Sequence, residues 1–210
     1  MNLPTKITFS RIIAIALMII GLFVLSFIDF KAPFYLGDGR WPGINLVYLI
    51  LFVFFLIASY TDHLDGKLAR KNNQVTALGK FLDPVADKLL INSLIIFLAV
   101  PNTTYAEGQM TFSLWCAIIL VARDIVVDAL RFIAAQKGTV IAANIFGKMK
   151  TVFEMVAICF VLLNDFPFSF LDWGWPVGLR ITDCFVYIAT LMSVISGVIY
   201  VIQNKGALKE

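Results

Sequence analysis

The sequence predicts an all-α membrane protein of six transmembrane helices that follow a short N-terminal interfacial helix. Of its 210 residues, 60% are hydrophobic and only 15% are charged, and the mean hydropathy is +0.87. Soluble domains are about half apolar and about a quarter charged. Long apolar runs recur along the whole chain. This composition excludes a separate soluble domain, so we expect residues 1–210 to form one membrane domain.

The apolar runs set the order of the elements. Residues 1–10 predict the interfacial helix, because Pro4 suits a first helical turn and Lys6 and Arg11 can lie at a lipid surface. The fifth run is short for a span, so its helix should begin at or before Lys148. The six predicted spans cover about residues 12–28, 44–60, 83–100, 112–135, 150–163 and 180–202.

The loops predict the orientation. Six spans place both termini on one side of the membrane, and most Lys and Arg residues fall on that side. The opposite side holds only Lys31, Arg40 and Arg180. The positive-inside rule therefore places the termini, and the loop between the second and third spans, in the cytoplasm. Residues 29–43 are predicted to form a loop rich in Gly and Pro, and the sequence does not indicate what this loop does.

Four aspartates flank that cytoplasmic loop: Asp62, Asp65, Asp83 and Asp87. Spacings of three and four residues put each pair on one helix face. A charge inside a membrane segment costs at least about 2.5 kcal/mol, and four carboxylates also repel one another. One or two divalent cations would solve both problems, because carboxylate oxygens are ligands that Mg²⁺, Mn²⁺ and Ca²⁺ prefer.

Residues around the aspartates suit a phosphate ligand. Gly66 and Gly79 allow close approach to the backbone, and Arg70 can grip a phosphate with two hydrogen bonds. Arg70 could instead contact a lipid headgroup. Thr76 could bond a nucleotide or simply cap the third helix. The alternative for the whole stretch is a salt-bridged, solvent-exposed loop.

Written as D-x-x-D-G-x-x-A-R, eight residues, then G-x-x-x-D-x-x-x-D, this stretch resembles the signature of the CDP-alcohol phosphotransferase family of integral membrane enzymes. The resemblance implies a CDP-linked lipid donor, CMP as leaving group, a homodimer, and Mg²⁺ or Mn²⁺, in the form of two ions. It implies that all four aspartates bind metal and that Asp87 is also the general base. The implied CDP-binding residues are Asp62, Gly66, Ala69, Arg70, Thr76 and Gly79.

A second basic group predicts how the acceptor alcohol binds. Its members are Arg123, Arg131, Lys148 and Lys150. Arginine inside a span marks a candidate functional site, and several cations together suit an acceptor that bears a phosphate. The alternatives are that the arginines pair with Asp124 and Asp128, and that the lysines are ordinary cytoplasmic charge.

Further stretches resemble bacterial members of the family, namely LPTKITFSRI, VTALGKFLDPVADKLL, ARDIVVDALR and GKMKT. The resemblance implies CDP-diacylglycerol as donor, sn-glycerol 3-phosphate as acceptor, and a bacterial inner membrane as location. Membrane lipids are then the surroundings, and no nucleic acid is involved. Asp124 departs from these relatives, which often have Glu there. Alternatives are a cardiolipin synthase or a relative with another acceptor and, in a different class, a divalent-cation transporter.

His63, Glu154 and the three cysteines are not assigned a role in catalysis or binding. His63, the only histidine, points away from Asp62 on a helix and is interpreted as a bystander. Glu154 lies one turn after Lys150 and can pair with it. Three widely spaced cysteines form no metal or redox motif.

Overall fold

Helices account for most of the chain. The computed structural model describes residues 3–28, 32–37, 43–71, 77–100, 108–136, 145–172, 174–176 and 178–203. Within these ranges there are six α-helices: α1 Leu3–Leu25, α2 Leu46–Lys71, α3 Ala77–Ala99, α4 Leu114–Gln136, α5 Ile145–Leu162 and α6 Ile181–Gln203. The side chains of residues 63–78, 80 and 81 lie outside this description.

Two of the described helices are long and apolar enough to cross a membrane. They are the Thr5–Leu25 part of α1 and the whole of α6, whereas the apolar part of α2, Leu46–Asp62, is shorter. Large apolar side chains of α1 are exposed, including Leu17 at 62% and Phe23 at 64%. An exposed apolar face suits contact with lipid. A helical membrane protein is therefore supported, and six spans remain a prediction.

The N-terminal helix was expected to be short and separate from the first span, and this separation is wrong. Residues 3–25 form one continuous helix, and no break separates its first turns from the first predicted span. The polar residues there, Thr5, Thr8 and Arg11, are at most 5% exposed. They are spaced three apart and so share one face of α1, which is buried against protein and does not lie in water.

The other helix boundaries agree with the sequence, with one exception. As predicted, α2 continues through Arg70 and α5 begins before Lys148. Pro84 was expected in the first turn of the third helix, but α3 begins at Ala77 and Pro84 lies in its interior. There the missing N–H leaves one carbonyl of the preceding turn without its helical partner.

The chain divides into two compact units, and the first contains α1, α2 and most of α3. In this unit α1 packs against α2, and buried side chains such as Tyr48, Phe55 and Leu94 form its core. The segment before α2 forms a small antiparallel hairpin, β1 Phe34–Tyr35 and β2 Ile44–Asn45, which the sequence did not predict.

A glycine closes this hairpin. Gly43 has a φ of +94°, and a Cβ there would lie 2.7 Å from the Gly37 nitrogen and closer still to the Tyr35 carbonyl oxygen. Only glycine fits such a turn. The Gly43 carbonyl also accepts a 2.7 Å hydrogen bond from the buried Asn164 amide. These contacts give part of the 29–43 loop a defined structure.

The second unit contains α4, α5 and α6. Here α4 packs against α6. The buried side chains of α4 follow helical spacing and include Leu120, Val127 and Ala134. A short 3₁₀ turn, Phe168–Phe170, precedes α6, and the Phe168 ring lies 4.8 Å from that of Phe160.

Buried aspartates fix the start of α6. Asp183 accepts hydrogen bonds from the backbone N–H groups of Gly178 and Arg180, at 3.0 and 3.1 Å. Asp172 accepts one from the N–H of Ile181 at 2.9 Å. These bonds satisfy donors that a helix start otherwise leaves unpaired. In the same loop, burial raises the pKa of Asp165 to about 6.

Candidate active site

Three carboxylates from two helices form the aspartate site, defined here as Asp62, Asp83 and Asp87. Asp62 follows the apolar part of α2, while Asp83 and Asp87 lie one turn apart near the start of α3. The side chain of Asp62 is 33% exposed and that of Asp87 is 48% exposed. The carboxylates are therefore partly open to ligands.

A third helix, α1, contributes a cation to this site. The Nη1 atom of Arg11 forms an ion pair with Asp62 and lies 3.5 Å from an oxygen of Asp87. The Thr8 hydroxyl donates a 2.9 Å hydrogen bond to Asp83. One face of α1 thus reaches all three aspartates.

The sequence interpretation missed Thr8 and Arg11 as members of the site. It placed Arg11 at a lipid surface, although the side chain is only 4% exposed. A usable signal was present, because Thr5, Thr8 and Arg11 recur every three residues at the start of an apolar helix. Polar residues on one face of a membrane helix point to a protein interior.

Most of the predicted CDP pocket lies outside the described side chains. Asp65, Gly66, Ala69 and Arg70 fall on the α2 backbone, and nothing is described of their side chains. Thr76 lies outside the described residues altogether. Gly79 is half-buried in the first turn of α3. The assignment of these residues to CDP stays a prediction, as does that of His63 as a bystander.

The donor chemistry of the aspartate site suits a hard divalent cation. Carboxylate oxygens are the ligands of Mg²⁺ and Mn²⁺, and Arg11 shows that Asp62 and Asp87 already approach one positive group. Among the described side chains, no group of three or more is arranged to hold a metal ion. The predicted fourth ligand, Asp65, is not among those side chains.

Two members of the second predicted group, Arg123 and Lys150, lie in the basic cluster, defined as Arg123, Asp124, Lys150 and Glu154. The Lys150 ammonium donates to both oxygens of Asp124 at 2.9 Å and to Glu154 at 2.7 Å. Arg123 donates to Asp124 at 3.0 Å. All four side chains are at most 14% exposed.

Helix α6 completes this network with groups that the sequence interpretation missed. Arg123 donates to the Ser193 carbonyl at 3.2 Å and to the Ser196 hydroxyl at 2.7 Å. Arg131 donates to the Tyr200 hydroxyl at 2.7 Å, and its guanidinium carbon lies 5.2 Å from the centre of that ring. Ser193, Ser196 and Tyr200 are spaced three and four residues apart. This spacing predicts that they share one face of a helix.

Close packing of α6 against Arg123 depends on glycine. A Cβ at Gly197 would lie 3.1 Å from the Cγ of Arg123. A Cβ at Gly147, in α5, would lie 3.4 Å from the Ser196 hydroxyl oxygen and 3.8 Å from the Tyr200 ring. Glycine at these positions lets three helices approach the Arg123 side chain.

The basic cluster resolves several alternatives. Arg123 pairs with Asp124, and Lys150 pairs with Glu154, as the alternatives proposed. The sequence did not indicate a partner for Asp124. Its carboxylate accepts hydrogen bonds from both Arg123 and Lys150. Two cations and two carboxylates give the cluster no net formal charge. Arg131 and Lys148, in contrast, are exposed.

Comparison with known proteins matches residues 1–199 to a family model described as CDP-alcohol phosphatidyltransferase. A Bacillus subtilis protein named CDP-diacylglycerol–glycerol-3-phosphate 3-phosphatidyltransferase is 38% identical over 99% of this chain and 97% of its own length. A Haemophilus influenzae protein of the same name is 32% identical over 100% of this chain and 96% of its own. One from Rickettsia bellii is 30% identical, with 95% and 93% covered.

Proposed function

Because this chain belongs to the CDP-alcohol phosphotransferase family, we propose that it transfers the phosphatidyl group of CDP-diacylglycerol to sn-glycerol 3-phosphate. The products are phosphatidylglycerophosphate and CMP. The observation that carries this proposal is the near full-length similarity to relatives that are named for this reaction. The partly exposed carboxylates of the aspartate site supply matching chemistry.

In the proposed reaction, a hydroxyl oxygen of glycerol 3-phosphate attacks the phosphorus that bears the lipid. A new P–O bond forms, the bond from that phosphorus to the bridging diphosphate oxygen breaks, and CMP leaves with this oxygen. Asp87 takes the proton of the attacking hydroxyl. Its side chain is 48% exposed, so an acceptor can reach it.

Asp62, Asp65, Asp83 and Asp87 are the proposed ligands of two divalent cations, Mg²⁺ or Mn²⁺. Bound there, such ions would neutralise phosphate oxygens and stabilise the leaving phosphate. Gly66, Ala69, Arg70, Thr76 and Gly79 line the proposed CDP pocket, together with Asp62. The two glycines leave room for the nucleotide against the helix backbone.

The acceptor phosphate is proposed to bind at Arg123, Arg131, Lys148 and Lys150. The observed contacts divide these four cations into two pairs. The side chains of Arg123 and Lys150 are largely buried and donate to carboxylates, whereas Lys148 is exposed and so is Arg131, although Arg131 also donates to Tyr200 of α6. The exposed pair therefore makes the direct contacts in our proposal, and the buried pair supports the helices that carry it.

The proposed setting is a bacterial inner membrane. In it, six spans place both termini and the aspartate site in the cytoplasm, where the soluble acceptor is found. Two of the described helices meet the length and hydropathy of a span. The positive-inside distribution of Lys and Arg supports the orientation. The homodimer implied by the family stays a prediction.

A reaction assay with purified protein tests the proposal. CMP release is measured with CDP-diacylglycerol and glycerol 3-phosphate, with Mg²⁺ or Mn²⁺ and then with excess chelator. We expect product only with both substrates and a divalent cation. Activity that persists in chelator would refute the metal-assisted mechanism.

A panel of acceptors tests the specificity. Glycerol 3-phosphate, phosphatidylglycerol and inositol phosphate are compared at equal concentration in the same assay. We expect turnover with glycerol 3-phosphate alone. Turnover with phosphatidylglycerol alone would instead identify a cardiolipin synthase. Cation flux into liposomes without any CMP release would favour a transporter.

A further inference from the structure

The contacts of Arg11 give α1 a role at the aspartate site that the family signature does not include, because the signature begins at Asp62. The Arg11 guanidinium is almost fully buried and contacts carboxylates of both α2 and α3. The positive charge of Arg11 offsets the repulsion among the three carboxylates of the site.

The hydrogen bonding of Arg11 indicates a role for its charge. Only its Nη1 atom contacts the aspartates, while Nε and Nη2 are buried and make no hydrogen bond within the part of the chain that the structure describes. Both ion-pair contacts of Arg11 with the described residues of the site are with carboxylates, so its position follows from attraction between opposite charges.

We propose that Arg11 is a permanent positive charge that shares the aspartate site with the divalent cation and weakens the binding of that cation. This inference rests on the part of the proposed function that places the cation at these carboxylates. Arg11 and the cation would be attracted by the same carboxylates, Asp62 and Asp87, and would repel each other. Arg11 is thus a positioning residue that adjusts metal affinity, and it supplies no proton.

Two consequences follow for thermal stability. Without divalent cations, Arg11 offsets the repulsion among the aspartates, so its loss should lower the melting temperature. With saturating cation, the ion offsets that repulsion in place of Arg11, so most of the loss should be recovered. Loss of a structural brace would lower the melting temperature by a similar amount in both conditions.

The test uses thermal unfolding of the purified full-length protein, followed by the fluorescence of its four tryptophans, during titration with Mg²⁺ or Mn²⁺. Wild type is compared with Arg11→Gln, with Arg11→Lys, which keeps the charge, and with Lys6→Gln. Lys6 is a matched control because it is an exposed cation on the same helix.

For Arg11→Gln we expect a larger rise in melting temperature with cation, and half of that rise at an about tenfold lower concentration, as expected for loss of a neighbouring like charge. Arg11→Lys and Lys6→Gln should follow wild type. If Arg11→Gln can be purified only with Mg²⁺ present, we expect added chelator to unfold it while wild type stays folded.

Other outcomes would overturn the inference. An equal cation response in wild type and Arg11→Gln would show that Arg11 does not share the site, and a higher half-saturating concentration would show that it helps the cation to bind. If the melting temperature of wild type did not change with added cation, the proposed metal site would be refuted as well. These titrations contain no substrate and report on cation binding alone. The CMP assay tests the proposed reaction independently of them.

Discussion

The aspartate site and the basic cluster both gather charged side chains from more than one helix, but they balance charge in opposite ways. In the aspartate site, three partly exposed carboxylates face one arginine. In the basic cluster, two cations and two carboxylates neutralise one another and are almost fully buried. The first arrangement leaves unbalanced charge for a ligand, whereas in the second the formal charges cancel and the ion pairs join α4 to α5.

The largest effect that sharpens this comparison is expected at Asp87. Asp87→Asn removes the proposed proton acceptor, so kcat should fall about 100-fold or more. CMP release measures the loss, and thermal unfolding confirms that the variant is folded. Asp38→Asn, an aspartate of the predicted 29–43 loop, is the control and should retain activity. A fully active Asp87→Asn would remove Asp87 from the mechanism.

Substitutions in the basic cluster should mainly lower the free energy of unfolding. Asp124→Asn leaves Lys150 and Arg123 buried with one carboxylate between them, which should destabilise the protein by about 3 kcal/mol. Adding Lys150→Met removes a cation as well and should restore part of that loss. Chemical unfolding of the single and double variants measures both. If the double variant were no more stable than Asp124→Asn, charge balance would not explain the cluster.

Packing around Arg123 offers an intermediate effect. In Gly197→Ala the new methyl group would lie 3.1 Å from the Arg123 Cγ, so the side chain must shift, at about 1–2 kcal/mol. Gly21→Ala in α1 is the control, because its methyl group would meet nothing within 4 Å. Unfolding measurements should show a loss for the first variant alone. Equal stability of the two would mean that the helices separate freely at Gly197.

The smallest expected effect is at Thr8. Thr8→Val keeps the shape of the side chain but removes its hydrogen bond to Asp83, which should lower stability by about 1 kcal/mol. Thr151→Val is the control, because Thr151 is exposed and donates to the Gly147 carbonyl of its own helix. An unchanged melting temperature for Thr8→Val would show that α1 needs only Arg11 to reach the site.

How much the sequence predicts depends on whether a feature is local. Apolar runs predicted α2, α5 and α6 closely, because a helix is specified by neighbouring residues. The spacing of Asp83 and Asp87 likewise predicted a shared helix face. The pairing of Arg11 with Asp62 joins residues 51 positions apart, and no local pattern encodes it. The same limit hid Ser193 and Ser196 as partners of Arg123.

A second kind of miss came from reading polar residues one at a time. Arg11 alone is compatible with a lipid surface, and Pro84 alone with a first helical turn. Their true settings depend on where each helix begins, Leu3 for α1 and Ala77 for α3. Helix starts are weakly determined by sequence, because capping and fraying shift them by a residue or two even in known structures.

The aspartates that hold the first turn of α6 also set the angular phase of that helix. The N–H of Ile181 is tied to Asp172, and Asp183 of α6 accepts from the N–H groups of Gly178 and Arg180 before the helix, so α6 cannot slide or turn without breaking those bonds. Each residue along a helix advances the side-chain direction by about 100°. A single residue inserted between Asp183 and Ser193 would therefore swing both serines and Tyr200 away from the arginines, although every one of those residues would still be present.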